Sequence, residues 1–231
     1  PRAPARLGSS PVLPGFVERV FANGSGYLYA ACGPAGLQVL DVSDPAAPAL
    51  VAAYDTLGYS EDVFVIGNYA VLADGPAGIL VLDISDPARP VAVGQAYPLA
   101  YAYDVEVSGT TVYAAAGGSG LLVVDLTSPS APVEEGLVAT GGFQYGLALS
   151  GDRLYTAGAW GGVSVLDVST PLAPVILETV DTAGWAMDLS VDGGRLLVMN
   201  GLDGAALYDL SSGSPEQLGV YTEVGMTLQG V

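Results

Sequence analysis

The sequence predicts an all-β fold, a β-propeller of four-stranded antiparallel blades, and three observations support this prediction. A glycine followed by a mostly apolar run and an aspartate recurs five times, at intervals of 42 residues. Each interval contains four short apolar runs separated by turn-forming residues. None of these runs has the 3.6-residue period of an amphipathic helix. Four antiparallel strands in about 40 residues is the size of one propeller blade.

The second repeat shows how each blade is built. Its four predicted strands, named A to D in chain order, cover residues 59–66, 69–73, 79–84 and 91–97. Gly67-Asn68 is a typical hairpin turn between A and B, residues 74–78 turn B into C, and residues 85–87 turn C into D. The glycine before each strand C is predicted to take a positive φ or to permit a close backbone approach.

Strand D is predicted to lie at the solvent-exposed rim of each blade, because it admits polar side chains. A blade packed between two neighbours buries both faces of its inner strands, and only its last strand reaches water. The polar residues in strand D of the successive repeats are Gln95, Glu134, Glu135, Glu178, Glu216 and Gln217.

Both ends of the chain carry part of a further repeat. Pro1, Pro4 and Gly8 have the spacing of the proline and glycine residues around strand D, and residues 225–231 match the beginning of strand A. This gives five complete repeats plus a partial blade strand at each end. We therefore expect residues 1–231 to form a single β-propeller domain that is a segment of a longer propeller chain.

The repeated pentapeptides resemble the LVIVD repeat, a family found in bacterial and archaeal surface proteins. The resemblance covers nearly the whole chain and departs most in the last copy, where Gly213 replaces a proline. It implies propeller blades and an extracellular or cell-surface location, with no general activity assigned to the family. The pentapeptides are Leu37–Asp41, Ile79–Asp83, Leu121–Asp125, Val163–Asp167 and Ala205–Asp209.

The composition limits the partners that this chain is expected to bind. Lys+Arg number 6 against 24 Asp+Glu, so the net charge is −18, and all six basic residues are arginine. Such a surface repels phosphate backbones, so nucleic acid is not an expected partner.

Cys32 is the single cysteine, so no internal disulfide can form. No apolar run approaches the roughly 20 residues of a membrane-spanning helix, so we expect no membrane insertion.

Catalytic chemistry is restricted by the residue types that the sequence lacks. Histidine and lysine are absent, which excludes a Ser-His-Asp triad and removes most transition-metal ligand sets. Paired carboxylates, as in glycosidases, are the common catalytic device that remains possible. We therefore predict no catalytic residues, no cofactor and no enzymatic activity, and keep a carboxylate-only enzyme as an alternative.

The aspartate that ends each predicted strand C has two interpretations. Calcium needs six to eight oxygen ligands, whereas these turns offer few oxygens and then reach a proline. An aspartate at a strand end more often accepts hydrogen bonds from the backbone of the next turn. We therefore predict a structural role and no metal site for Asp41, Asp83, Asp125, Asp167 and Asp209.

The start of strand A carries the candidate ligand-binding residues. In a propeller strand A is innermost, so these positions are expected around one mouth of the central channel. Aromatic rings beside carboxylates can hold sugars, cations or peptide side chains. The competing interpretation, which recurrence in every repeat favours, is packing between blades. The candidates are the aromatic residues Phe16, Tyr59, Tyr101, Phe143 and Trp185 and, three residues later, the aspartates Asp62, Asp104 and Asp188.

The function predicted from these observations is binding. We expect a non-enzymatic scaffold or adhesion module of a secreted or cell-surface protein, which holds a protein or carbohydrate partner. The first alternative is a carbohydrate or small-ligand binder at the channel mouth. The second is an enzyme that works through carboxylates alone. Propellers host many functions, so the fold does not decide among these.

Overall fold

The computed structural model describes residues 6–97 and 100–222, and all regular structure in these residues is β-strand. The strands form five antiparallel four-stranded sheets, which we call blades 1 to 5, and each blade keeps its strands in chain order. This confirms the predicted fold class. Within the described residues there is no helix long and apolar enough to cross a membrane.

The chain groups into two compact units. Among the described residues, 6–97 and 129–131 form unit 1, and 100–128 and 132–222 form unit 2. The strands of unit 1 are, in blade 1, β1 (Arg19–Ala22), β2 (Tyr27–Ala31), β3 (Leu37–Asp41) and β4 (Ala49–Tyr54), and in blade 2, β5 (Asp62–Ile66), β6 (Tyr69–Ala73), β7 (Ile79–Asp83) and β8 (Val91–Ala96).

Unit 2 contains the other three blades. Its strands are, in blade 3, β9 (Asp104–Ser108), β10 (Thr111–Ala115), β11 (Leu121–Asp125) and β12 (Val133–Val138), in blade 4, β13 (Gly146–Ser150), β14 (Arg153–Ala157), β15 (Val163–Asp167) and β16 (Val175–Val180), and in blade 5, β17 (Asp188–Asp192), β18 (Arg195–Met199), β19 (Ala205–Asp209) and β20 (Glu216–Tyr221).

Apolar side chains of adjacent blades pack face to face within each unit. In unit 1, Tyr29 and Leu37 of blade 1 lie in one cluster with Leu72 of blade 2. In unit 2, Leu121 of blade 3 packs in a cluster with Leu154 of blade 4. A second cluster in this unit joins blades 4 and 5. Each fully buried leucine contributes about 1.5–3 kcal/mol relative to an exposed one, so these clusters hold neighbouring blades together.

The turns have the chemistry that the sequence predicts. All five glycines that precede strand C have positive φ, from 69° at Gly36 to 94° at Gly120. A Cβ on Gly120 would also collide with the carbonyl oxygen of Val138, so glycine is needed there for space as well as conformation.

Strand D is the exposed strand, and every residue of β20 is exposed. The predicted position of strand D at the rim is confirmed.

Two predictions about strand ends have different outcomes. Strand A of blade 2 was predicted over residues 59–66, but β5 begins at Asp62, because Ser60 pairs with Gly33 of blade 1 in an isolated bridge. Of the partial strands predicted at the chain ends, residues 1–5 and 225–231 lie outside the described residues. Residues 6–18, which precede β1, form no strand.

Candidate functional site

In unit 1 the start of strand A is held by a hydrogen bond between side chains of blades 1 and 2. The Tyr59 hydroxyl donates a hydrogen bond to Glu18 Oε1 at 2.6 Å. This bond is the main reason that the pKa of Tyr59 is raised to about 12. The Tyr59 ring lies on Gly33, where an added Cβ would stand 2.8 Å from Tyr59 Cζ. Phe16, at the same repeat position in blade 1, is 74% exposed.

The buried carboxylate of Asp74 accepts hydrogen bonds from the segment that leads into blade 2. Thr56 Oγ1 donates to Asp74 Oδ1 at 2.7 Å and Ser60 Oγ donates to the same oxygen at 2.9 Å. The Gly58 N–H donates to Asp74 Oδ2 at 3.1 Å. Burial raises the pKa of Asp74, although these three hydrogen bonds favour the ionised form. The network ties the linker between blades 1 and 2 to the B–C turn of blade 2.

In unit 2 the corresponding region is a chain of ring contacts across three blades, which we call the aromatic row. Neighbouring ring centroids lie 4.4–6.4 Å apart, a distance range typical of favourable aromatic pairs. The row ends in an edge-to-face tryptophan pair at 6.0 Å. Its members are Tyr101, Tyr103, Phe143, Tyr145, Trp160 and Trp185.

The two tryptophans are the most accessible part of the row. Trp160 is 66% exposed and Trp185 is 56% exposed, whereas Tyr103 and Phe143 are half-buried. Trp160 lies in the B–C turn of blade 4, and Trp185 precedes strand A of blade 5. Large exposed aromatic surfaces are costly in water and commonly mark contact sites.

The three candidate aspartates do not share the surface of the row. Asp62, Asp104 and Asp188 are 4–8% exposed. Asp104 accepts hydrogen bonds from the N–H groups of Val105 and of Leu147, the latter in the first strand of the next blade. The structure therefore buries these three carboxylates, and Asp104 bonds backbone N–H groups of both blade 3 and blade 4.

Blade 4 has a glycine at the aspartate position because space is limited there. A Cβ on Gly146 would lie 3.1 Å from Asp188 Cα and 3.0 Å from Asp188 Oδ1. These distances are shorter than ordinary van der Waals contacts. The aspartate of blade 5 thus packs closely against the first strand of blade 4, and its position depends on the absence of a side chain at Gly146.

A strained residue lies beside the tryptophan pair. Among the described residues, Ala159 is the one non-glycine with positive φ, at 49°. Gly33 and Gly117 occupy the same repeat position, and rings rest directly on them: a Cβ on Gly117 would be 2.8 Å from Phe143 Cζ. In blade 4 this position carries the methyl group of Ala159. Backbone strain of this kind is concentrated at functional sites.

Next to Trp185 is a cavity of about 350 Å³, which we call the Trp185 cavity. Asn200, one of its lining residues, is fully buried, and neither its Oδ1 nor its Nδ2 atom has a hydrogen-bond partner within the described residues. Asn200 occupies the repeat position of Asp74, which has three donors. The lining residues are Trp185, Met187, Asn200, Gly201, Leu202 and Asp203.

The aspartates at the end of strand C form turns, as predicted. Asp83 Oδ1 accepts the Ser85 N–H at 2.8 Å, and the other four make the equivalent bond. The bond from the Ser85 backbone, followed by that from its hydroxyl, lowers the pKa of Asp83. The side chain of Asp167 also pairs with Arg153 at 3.0 Å across strands β14 and β15.

Sequence reasoning found only part of this site. It selected Tyr101, Phe143 and Trp185 but missed Tyr103 and Tyr145, which are two residues beyond the selected position and on the same side of the chain. The period of two in strand-like segments could have indicated them. It also missed Trp160 and Asn200, whose B–C turns come close to strand A only in the folded protein.

Comparison with known proteins identifies the repeat. The family model of the LVIVD repeat matches residues 14–56, 57–96, 100–140 and 141–182. These matches cover most of the chain and coincide with the 42-residue period. No curated protein matches the sequence of this chain.

Solved structures show the same fold at low sequence identity. The Cps50 (Swd1) β-propeller domain of Myceliophteria thermophila has a TM-score of 0.74 at 16% identity over 92% of this chain and 74% of that domain. The computationally designed Ika8 protein has a TM-score of 0.69 at 12% identity, with 90% of this chain and 63% of that protein covered.

A third similar structure is PorZ, a bacterial surface component of the type-IX secretion system of Porphyromonas gingivalis. Its TM-score is 0.61 at 16% identity, over 90% of this chain and 27% of PorZ. This chain thus spans less than two thirds of the designed protein and about a quarter of PorZ. At these identities the likeness concerns the fold alone.

Proposed function

We propose that this chain, which belongs to the LVIVD repeat family, is a non-enzymatic binding module of a secreted or cell-surface protein. The module holds a protein or carbohydrate partner on the aromatic row of unit 2. The observation that carries this proposal is the continuity of the row, whose rings touch from blade 3 to blade 5.

The exposure of the row supports contact with a partner. Rings that served only to pack blades together would be buried, yet Trp160 and Trp185 are both more than half exposed. Tryptophan and tyrosine are also the residues that most often dominate binding energy at interfaces. The equivalent position in blade 2 holds the Tyr59–Glu18 pair instead, so that blade uses the position differently.

The carboxylates support binding rather than catalysis. A carboxylate-only enzyme needs two accessible acids, one with a raised pKa. Among the described residues, Asp74 is the acid whose pKa is raised. It is fully buried and bonded by two hydroxyls and one backbone N–H. This arrangement suits a structural network.

Arrays of glycans and of extracellular protein domains, probed with the wild-type chain and two variants, test the proposal. Trp160→Ala should weaken binding to any captured partner about tenfold or more, because exposed tryptophans are common binding hot spots. Leu137→Ala is the matched control, since Leu137 is 53% exposed on the strand β12 of the same unit. Equal binding by all three proteins, with unfolding midpoints unchanged, would contradict the proposal.

A further inference from the structure

We infer that the Trp185 cavity binds a positively charged side chain, a guanidinium or primary ammonium group on a basic segment of a protein partner. The inference rests on the proposed function, because the cavity lies at the tryptophan end of the aromatic row. It goes further by naming the chemistry of the partner at that end.

Charge complementarity favours a cation in this cavity. Asp203 is the charged residue among those that line it, and the chain as a whole carries a net charge of −18. The arginines of blade 5 and blade 4 are engaged elsewhere, since Arg195 pairs with Asp209 at 3.1 Å and Arg153 pairs with Asp167. A cationic group is therefore drawn to the cavity, while an anion is repelled.

Asp203 and Trp185 both line the cavity. Gly184 directly precedes Trp185, and a Cβ on Gly184 would collide with the Asp203 side chain, 2.8 Å from its Cγ. Asp203 thus lies against the segment that presents Trp185. A cation between them can stack on the indole face and donate to the carboxylate at the same time. A planar guanidinium is best suited to both contacts.

Asn200 indicates that the occupant is a hydrogen-bond donor. A fully buried amide with no partner is costly, and such groups in native structures call for an explanation. At the same repeat position, the Asp74 side chain accepts three hydrogen bonds. The Oδ1 atom of Asn200 can accept an N–H of a guanidinium or ammonium group. A quaternary ammonium ion has no N–H group to give.

The cavity also lies where the fold stores strain. Ala159 has a left-handed backbone conformation, and its isolated bridge to Ala186 fixes the chain directly after Trp185. Trp185 is thereby held beside Trp160 with its ring accessible. A preformed ring of this kind binds without the entropic cost of ordering a flexible side chain.

Titration of the full chain with matched probes tests this inference, followed by tryptophan fluorescence and by NMR of the Trp185 indole. The probes are an arginine-containing peptide, the same peptide with citrulline for arginine, tetramethylammonium, and the disaccharide cellobiose. We expect the arginine peptide to bind at least about tenfold more tightly than the citrulline peptide. Its affinity should fall as salt concentration rises, because the attraction is partly screened.

Substitutions in blade 5 locate the site. Asp203→Asn should weaken binding of the arginine peptide about tenfold, and Asn200→Ala should weaken it less. Asp192→Asn removes the same charge from an exposed position in the same blade and should change the affinity less than about twofold. Equal losses for Asp203→Asn and Asp192→Asn would overturn the inference by showing that only net charge matters.

The remaining outcomes separate this inference from the proposed function. Equal binding of the arginine and citrulline peptides would overturn the inference, because it would show that the positive charge is not recognised. Equal binding of tetramethylammonium and the arginine peptide would also overturn it, because it would show that no N–H donor is needed. Binding of cellobiose alone would overturn it in favour of a sugar site. In each case a partner whose binding still depends on Trp160 leaves the proposed function standing. If Trp160→Ala also has no effect on any partner, both proposals are wrong.

Discussion

Units 1 and 2 use the start of strand A in different ways, although both place it with the same backbone bridge. In blade 2, Ser60 bridges to Gly33, and the side chains around it form the Tyr59–Glu18 pair and the Asp74 network. In blade 5, Ala186 makes the equivalent bridge to Ala159, and the side chains around it form the tryptophan pair and a cavity.

This difference shows which part of the repeat is constrained. The bridge joins residues 27 positions apart in both units and requires only backbone groups. The side chains on either side of it can therefore change without loss of the blade-to-blade connection. In unit 1 they satisfy one another, whereas in unit 2 they leave rings exposed and an amide unpartnered. The second arrangement favours contact with other molecules.

The largest expected effect concerns the two residues at the Asp74 position. Asp74→Ala removes the acceptor of two buried hydroxyls and one half-buried N–H and should destabilise unit 1 by about 1–3 kcal/mol. Asn200→Ala removes an amide that has no partner and should change stability by less than about 0.5 kcal/mol. Denaturant unfolding combined with hydrogen exchange in each unit measures both. Equal losses of stability would contradict this contrast between the units, because they would show that the Asn200 side chain makes hydrogen bonds that stabilise the folded state.

The next effect tests the strain at Ala159. Ala159→Gly removes the left-handed strain of a side chain and should raise stability by up to about 1 kcal/mol. It also opens the space on which rings rest in blades 1 and 3, so Trp185 should become less accessible to acrylamide quenching. Gly117→Ala is the converse variant and should destabilise unit 2 and expose Phe143. Unchanged quenching in Ala159→Gly would show that the methyl group does not hold the indole outward.

Titration of the carboxyl groups should give opposite shifts for the buried and the exposed aspartates. Burial raises the pKa of Asp74, so its carboxyl group binds a proton more tightly in the folded state than in the unfolded state. The contribution of Asp74 to stability therefore grows as the pH falls through its folded-state pKa. The Ser85 bonds lower the pKa of Asp83, so its contribution is present above the unfolded-state pKa and is lost as the pH falls through the folded-state value.

Carboxyl ¹³C NMR measures this contrast directly. The Asp74 resonance should titrate above the midpoint of the unfolded chain, and the Asp83 resonance should titrate below it. Asp74→Asn, which keeps the size of the side chain, should delete the upper titration and leave that of Asp83 in place. Identical midpoints for the two residues would show that burial of Asp74 is offset by its three hydrogen bonds.

The smallest effect concerns Tyr59. Its hydrogen bond to Glu18 holds its proton and raises its pKa to about 12. Burial raises the pKa of Tyr113 to about 12 as well, so ultraviolet titration should find both tyrosines there, and Glu18→Gln should return only Tyr59 toward the ordinary value. The bond contributes to stability below the ordinary tyrosine pKa and is lost as the pH rises through about 12. Glu134→Gln, an exposed acid of blade 3, is the control and should leave the titration unchanged.

The fold was largely predictable, and the site only partly. The recurrence of glycine and aspartate every 42 residues indicated five blades, and β6 lies where residues 69–73 were predicted. The aromatic candidates Tyr101, Phe143 and Trp185 do belong to one surface. Asp104 was grouped with them from its spacing alone. Its burial and its bond to Leu147 depend on the approach of the next blade, which spacing does not describe.

Features that depend on a few neighbouring residues follow directly from the sequence. The φ of Gly120 and the bond from Ser85 to Asp83 arise within three positions along the chain, so local chemistry suffices. Which side chains meet across blades depends instead on the tertiary structure. Trp160 meets Trp185 from another blade, and Asp104 reaches an amide 43 residues away. Contacts at such separations form only when whole blades pack, because burial of their apolar faces is what brings these segments together.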